Sequence, residues 1–240
     1  MFDAIAGRYD FLNHLLSAGI DRYWRRRAIA SLVLTGTERG LDLCTGTGDL
    51  AMAALAARPG AARVVGVDFA GAMLAVGLQK IRARRCEDAV TMVRGDAVRV
   101  PLADRSVDAV TVAFGIRNVE NTSAACVEMW RVLAPGGRLA ILEFAIPTAP
   151  IVRTVYLWYF SRVLPAIGRL ISRHDAAYGY LPASVGAFAT PEAFVTILRQ
   201  AGFSDIEARP LTLGVVYLYT ARSARGRPGA IPADILTLSS

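Results

Sequence analysis

From Gly40 to Phe144, short β-branched runs alternate with longer stretches of helical periodicity. Such alternation marks an α/β chain, in which parallel strands are joined by crossover helices. The first strand, Leu41 to Cys44, leads through Gly46-Thr47-Gly48 into an alanine-rich helix from Asp49 to about Ala57. The second, Arg63 to Val67, ends at Asp68 and precedes a helix from about Ala70 to Arg84. Val90 to Arg94 makes a third strand closed by Gly95-Asp96, and Val107 to Ala113 a fourth that runs into Phe114-Gly115-Ile116-Arg117-Asn118. A helix from about Thr122 to Leu133 is expected to stop at Pro135-Gly136-Gly137, before a fifth strand from Arg138 to Phe144. The alternation lapses over residues 148–174 and resumes with a helix from Pro191 to Gly202. The last two strands, about Ser204 to Pro210 and Gly214 to Ala221, sit only a few residues apart. Parallel neighbours need a crossover of a dozen or more residues, so these two must form an antiparallel hairpin. The result is a seven-stranded sheet whose last strand is reversed. Residues 1–34 read as an N-terminal helical lid of two amphipathic helices, 35–222 as the main domain, and 223–240 as a flexible tail.

Composition narrows the class without choosing a function. The chain is 54% hydrophobic and 20% charged, which excludes a disordered polypeptide. Its net charge of +7, nearly all from arginine, suits nucleic acid, an anionic membrane surface or an acidic ligand. Cys44, Cys86 and Cys126 match no metal-ligand spacing, and with no signal-peptide pattern they read as reduced thiols of a cytoplasmic protein. Only His14 and His174 offer imidazole, so no metal is expected. The most apolar segment, Ile151 to Ile171, is interrupted by Arg153, Arg162, Pro165 and Arg169, and does not read as a membrane span.

Gly46-Thr47-Gly48 lies between a strand and a helix, where the backbone must turn sharply and let a ligand approach. With Ala51 in the third position and Asp68 at the end of the second strand, the string also satisfies a dinucleotide fingerprint. In either class Asp68 would accept the hydroxyls of an adenosine ribose, with Phe69 beside it. Asp42, read as an exposed carboxylate below the turn, is suited to a cationic amino-acid group. Asp96 can accept from an adenine amino group while Ala97 offers its backbone amide. Together with Leu133-Ala134-Pro135-Gly136-Gly137-Arg138 and the terminal hairpin, this series resembles the motif set of class I S-adenosylmethionine methyltransferases, whose sheet is Rossmann-like with one antiparallel strand.

Further strings resemble one subfamily, the ubiquinone/menaquinone biosynthesis C-methyltransferases. They are Phe2-Asp3-Ala4-Ile5-Ala6-Gly7-Arg8-Tyr9-Asp10 with Asn13, Leu16-Ser17-Ala18-Gly19, Trp24-Arg25, Gly46-Thr47-Gly48-Asp49-Leu50, Asp68-Phe69, Met73-Leu74, Phe114-Gly115-Ile116-Arg117-Asn118, Leu142-Glu143-Phe144, Leu164-Pro165, Tyr180-Leu181-Pro182 with Ser184, and Ala201-Gly202-Phe203. The resemblance runs to about Ala221 and implies transfer of a methyl group from S-adenosyl-L-methionine to a prenylated demethylquinol, with demethylmenaquinol favoured over a benzoquinol. It implies cofactor contacts at Thr47, Asp68, Asp96, Ala97 and the position of Ala113, often serine in relatives, where only the backbone can contribute here. It also implies access to lipid: the insertion at 148–190, with Tyr156, Trp158, Tyr159 and Phe160, would meet the isoprenoid tail. Arg22, Arg25 to Arg27, Arg153, Arg162, Arg169 and Arg173 would meet headgroups at the inner face of the membrane, each contributing about 1 kcal/mol. A homodimer is compatible with the sequence.

A quinol ring carbon is a poor nucleophile until a neighbouring hydroxyl, with a phenolic pKa near about 10, loses its proton. A base or a fixed positive charge is therefore required. Arg117 is the first candidate, as a charge that stabilises phenolate, since arginine is a poor base. Asn118 would orient the same network, and Tyr9, with Asp10 and Asn13, would join it from the lid. His174-Asp175 is a second acid–base pair to consider. A nicotinamide oxidoreductase is disfavoured by the terminal hairpin. A nucleic-acid methylase is disfavoured because Ala113-Phe114-Gly115-Ile116 stands where base-amino methylases carry Asn/Asp-Pro-Pro-aromatic. A non-catalytic cofactor-binding protein is the remaining alternative.

Overall fold

In the computed structural model, residues 19–57, 60, 62–159, 162 and 183–224 are described. Seven strands form one sheet in the order β3-β2-β1-β4-β5-β7-β6. They are β1 (Arg39–Leu43), β2 (Arg63–Asp68), β3 (Val90–Arg94), β4 (Val107–Ala113), β5 (Leu133–Phe144), β6 (Phe203–Leu211) and β7 (Val216–Ser223). The helices are α1 (Asp21–Ser31), α2 (Asp49–Ala57), α3 (Gly71–Ala83), α4 (Thr122–Val132), α5 (Pro150–Trp158) and α6 (Pro191–Gln200). β1 to β5 are parallel, and β7 inserts antiparallel between β5 and β6. The expected reversed strand is present, and its slot beside β5 follows from its apolar side chains: Val216, Leu218 and Tyr219 are buried.

Strand runs that are apolar on both faces need a layer on each side. On one side, α4 and α6 bury Met129, Phe194 and Leu198 against Leu139, Ile141 and Tyr219. On the other, α1 buries Trp24, Ala28, Ile29 and Leu32 against Ala109, Leu142 and Leu218. Local chemistry fixes where these helices begin. The Asn121 side chain accepts from the amide of Ala124 at 2.9 Å, and Thr190 caps α6 ahead of Pro191.

One boundary departs from expectation. Pro135-Gly136-Gly137 does not precede β5 but forms a bulge inside it: Leu133 already pairs with Val107, and Arg138 with Ala109. Gly136, at φ 78°, supplies the left-handed residue that lets the strand leave and rejoin its ladder.

β1 pairs with β2 on one side and β4 on the other, so the chain crosses the sheet in opposite directions from β1. This divergence opens a crevice at the carboxyl ends of the strands.

Candidate active site

The crevice holds a pocket of about 720 Å³, lined among others by Gly46, Asp68, Phe69, Asp96, Ala97, Ala113, Phe114 and Asn118. That volume suits a nucleoside-sized ligand. Gly46 adopts φ 56° at the turn after β1. Its amide donates to Oδ2 of Asp68 at 2.8 Å, and the amide of Ala70 donates to Oδ1 at 2.9 Å. Two backbone donors thus hold the Asp68 carboxylate at the pocket wall, and a carboxylate has capacity for further donors such as vicinal hydroxyls. Asp96 is held similarly, Oδ1 accepting from the amide of Val98 at 3.0 Å, with Ala97 beside it. Phe69, 70% exposed at the rim, is backed by the Arg94 guanidinium 5.8 Å from its ring centre.

Two proposed contacts turn away from the pocket. Asp42, expected to be exposed, is 1% exposed. Its Oδ2 accepts from the hydroxyl of Thr45 at 2.6 Å and its Oδ1 from that of Thr111 at 2.7 Å. The alternation of β1 points this side chain into the layer beneath the glycine turn, where hydroxyls from the turn and from β4 satisfy it. Thr47 is 3% exposed, and its Oγ1 accepts from Lys80 Nζ at 3.0 Å, while Lys80 also pairs with Asp49. Gly48, at φ 80°, packs beside Met92. These residues shape the turn that presents Gly46.

Burial pushes the Asp42 carboxyl up to about 6, against the opposing effects of the Thr45 and Thr111 hydroxyls and the Arg25 charge. A raised folded-state pKa means that ionisation of Asp42 opposes folding. Stability from this group is therefore present near the unfolded value of about 4 and lost as pH rises through about 6, a change on the order of 3 kcal/mol. Asp42→Asn keeps the shape and removes the titration. Urea unfolding of both proteins at about pH 4.5 and about pH 7.5 should show the variant gaining relative stability at the higher pH; a constant difference would refute this assignment.

The ends of β1 and β4 meet closely. A Cβ on Gly115 would stand 2.4 Å from that of Cys44, so the crossing admits only glycine. Cys44 and Phe114 are both left-handed, at φ 53° and 60°, and both line the pocket. Such backbone costs about 1–3 kcal/mol per residue and persists where surrounding packing enforces it. Burial, with Asp68 and other carboxylates nearby, raises the Cys44 thiol well above its ordinary value. It is a neutral wall, not a nucleophile.

Arg117 and Asn118 occupy a 3₁₀ turn, Ile116–Asn118. Successive residues of such a turn project about a third of a turn apart, and here Asn118 lines the pocket while Arg117 faces the β5 side. Arg117 Nη1 donates to Glu143 Oε1 at 2.6 Å, and the Arg117 amide donates to Oε2 at 3.2 Å. The side chains of Arg117 and Glu143 are 6% and 0% exposed. Nη1 also donates to the carbonyl of Phe114, and Nε to Ser184 Oγ at 3.3 Å. The guanidinium lies 5.5 Å from the Phe144 ring centre. Phe144 stacks on Phe114 at 4.5 Å, and Trp24 meets both edge-on. Glu143, which in the sequence stands only as part of the string Leu142-Glu143-Phe144, is thus the partner of Arg117. A lone acid in the apolar run Leu139 to Phe144 was the available signal. Tyr9, Asp10, Asn13, Phe160, Arg169, Arg173, His174 and Asp175 lie outside the described residues. Among the described residues no cluster of three His, Cys, Asp or Glu side chains is placed to hold a metal.

The ubiE/COQ5 methyltransferase family matches residues 1–223. The chain belongs to this family. As a member of the ubiE/COQ5 family it is 49% identical over 219 residues to a Thermus thermophilus protein named demethylmenaquinone methyltransferase, covering 91% of this chain and 98% of that one. It is 44% identical over 220 residues to a Geotalea daltonii protein named ubiquinone/menaquinone biosynthesis C-methyltransferase UbiE, covering 92% and 93%. Among solved structures, a Methanococcus maripaludis S-adenosyl-L-methionine-dependent methyltransferase described as putative superposes with a TM-score of 0.68 at 20% identity, over 95% of this chain and 96% of that one. The [4+2]-cyclase SpnF superposes at 0.66, also at 20% identity, over 87% and 83%. Since a cyclase and a methyltransferase share the scaffold, these structures establish the fold alone. The family makes the protein an S-adenosylmethionine-dependent C-methyltransferase.

Proposed function

We propose that the protein methylates a ring carbon of a prenylated demethylquinol, with demethylmenaquinol as the preferred acceptor. The observation that carries this reading is the Asp68 carboxylate, fixed by two backbone amides at the wall of a nucleoside-sized pocket, in a chain whose 49%-identical relative is named for that acceptor. S-adenosylmethionine, when bound, supplies a methyl group already activated on a sulfonium. Asp68 holds the ribose hydroxyls, Asp96 and the Ala97 amide hold the adenine edge, and Phe69 shields the rim. Ala113 contributes backbone only, and Gly46, without a side chain, lets the ligand approach the turn.

The remaining task is to align the acceptor and lower the cost of phenolate. Alignment can contribute about 7–11 kcal/mol. Arg117, behind Asn118 on the other side of the turn, favours the developing phenolate through its fixed positive charge, and Glu143 holds its guanidinium in place. Asn118, on the pocket side of the same turn, orients the acceptor hydroxyl. The ring carbon's electron pair forms the new carbon–methyl bond, the sulfur keeps the pair of the broken bond, and one proton leaves the ring overall.

The acceptor is lipid-borne, and α5 suits a membrane surface. Ile151, Val155 and Trp158 share one face of this helix at i, i+4 and i+7, exposed by 80%, 59% and 59%. Arg153 and Arg162 are exposed as well. No helix among the described residues is long and apolar enough to cross a membrane. Incubation with isotopically labelled methyl donor and demethylated naphthoquinol or benzoquinol, followed by mass analysis, tests the reaction. One methyl on ring carbon, with the naphthoquinol preferred, is expected; a methylated oxygen or no product refutes it. In the same assay Ile151→Asp should slow turnover of vesicle-borne quinol more than of detergent-dispersed quinol.

A further inference from the structure

A second recess, of about 470 Å³, opens on the far side of the turn that carries Arg117 and Asn118. It is lined by Arg117 and mainly by apolar residues, among them Val119, Phe188 and Ile197, with Glu120 and Ser184 beside them. Val119, Glu120 and Thr122 line both this recess and the nucleoside-sized pocket, so the two cavities share a wall a few residues thick. The recess therefore abuts that pocket, is largely apolar, and has the buried Arg117 guanidinium, paired with Glu143, in its lining.

We propose that this recess binds the first isoprene units of the acceptor's tail. The inference rests on the quinol reading and adds to it the place where the chain lies. A prenylated quinol is an amphiphile with hydroxyls at one end and an unbroken hydrocarbon at the other. The recess offers both characters, the Arg117 guanidinium and the apolar Ala187, Phe188 and Ile197. A tail seated there places the ring against the Arg117–Asn118 turn, where Asn118 faces the other cavity. Tail binding thereby orients the ring through contacts that take no part in the chemistry, which is how remote binding energy is used to position a reacting group.

Ala187, exposed on a short helical segment over 183–187, can be enlarged without entering the core. The test compares wild type with Ala187→Trp and, as a second filling variant, Ala189→Trp. Acceptors are two demethylated naphthoquinols, one without a tail and one with three isoprene units, and S-adenosylmethionine titration reports folding. The ratio of kcat/KM for the tailed over the tail-less acceptor is expected to fall roughly tenfold to hundredfold in the variants, the loss of one well-buried hydrocarbon segment. Calorimetric binding of a three-unit prenyl alcohol should weaken in parallel. An unchanged ratio in variants that still bind S-adenosylmethionine overturns the tail site and leaves the quinol reaction standing. Weakened prenyl-alcohol binding, in a protein that methylates neither quinol, upholds the recess as a prenyl site and overturns the reaction.

Discussion

Replacing Asp68 with alanine should reduce S-adenosylmethionine affinity by roughly a hundredfold to ten-thousandfold. Two charge-assisted hydrogen bonds to ribose hydroxyls contribute about 1.5–3 kcal/mol each. The same carboxylate accepts from the amides of Gly46 and Ala70, so its removal also releases the glycine turn that shapes the pocket. Asp68→Asn should lose less, because the amide oxygen still accepts from one of the two backbone donors. Isothermal titration of the three proteins reads the order directly: wild type tightest, asparagine next, alanine weakest. Equal affinity in wild type and Asp68→Ala would remove the basis for placing the nucleoside in this crevice.

Loss of Glu143 should be the most damaging change that touches neither cavity's ligand. Glu143→Ala leaves the Arg117 guanidinium buried beside Phe144 without its counter-charge, a situation that costs about 3–5 kcal/mol when one partner of a buried pair is removed. Glu143→Gln keeps the shape and one acceptor but gives up the charge. Its expected result is a kcat lower by roughly a hundredfold or more, the scale set by removal of one preorganised charge-stabilising group, with S-adenosylmethionine affinity little changed. Urea unfolding separates the two effects. If the kcat of Glu143→Gln falls only in proportion to the folded fraction, Glu143 supports the fold and does not position Arg117 for catalysis.

The Arg117–Glu143 pair also shows why part of the site was hidden in the sequence. Arg117 stands out in the sequence by its position directly after β4. Its partner stands 26 residues away, at the end of β5, and the two meet because β4 and β5 are parallel neighbours, with Ala113 opposite Leu142. Asp42 was misread as exposed for a related reason. Thr111 reaches it only because β1 lies directly beside β4, 69 residues on.

Periodicity, glycine turns and connection lengths are local properties, carried by residues within a few positions of one another. They were sufficient to set the order of the strands along the chain, the helices α2, α3, α4 and α6, the reversed strand, the Gly46 turn and the Asp68 carboxylate at the end of β2, but not α5, which falls where the alternation lapses. Tertiary structure alone decided which polar side chains were buried and with whom: Asp42 between two threonines, Thr47 under Lys80, Arg117 on Glu143. A buried charge is stable only where a partner from another strand completes it, and strand order and register, not sequence spacing, bring that partner within reach.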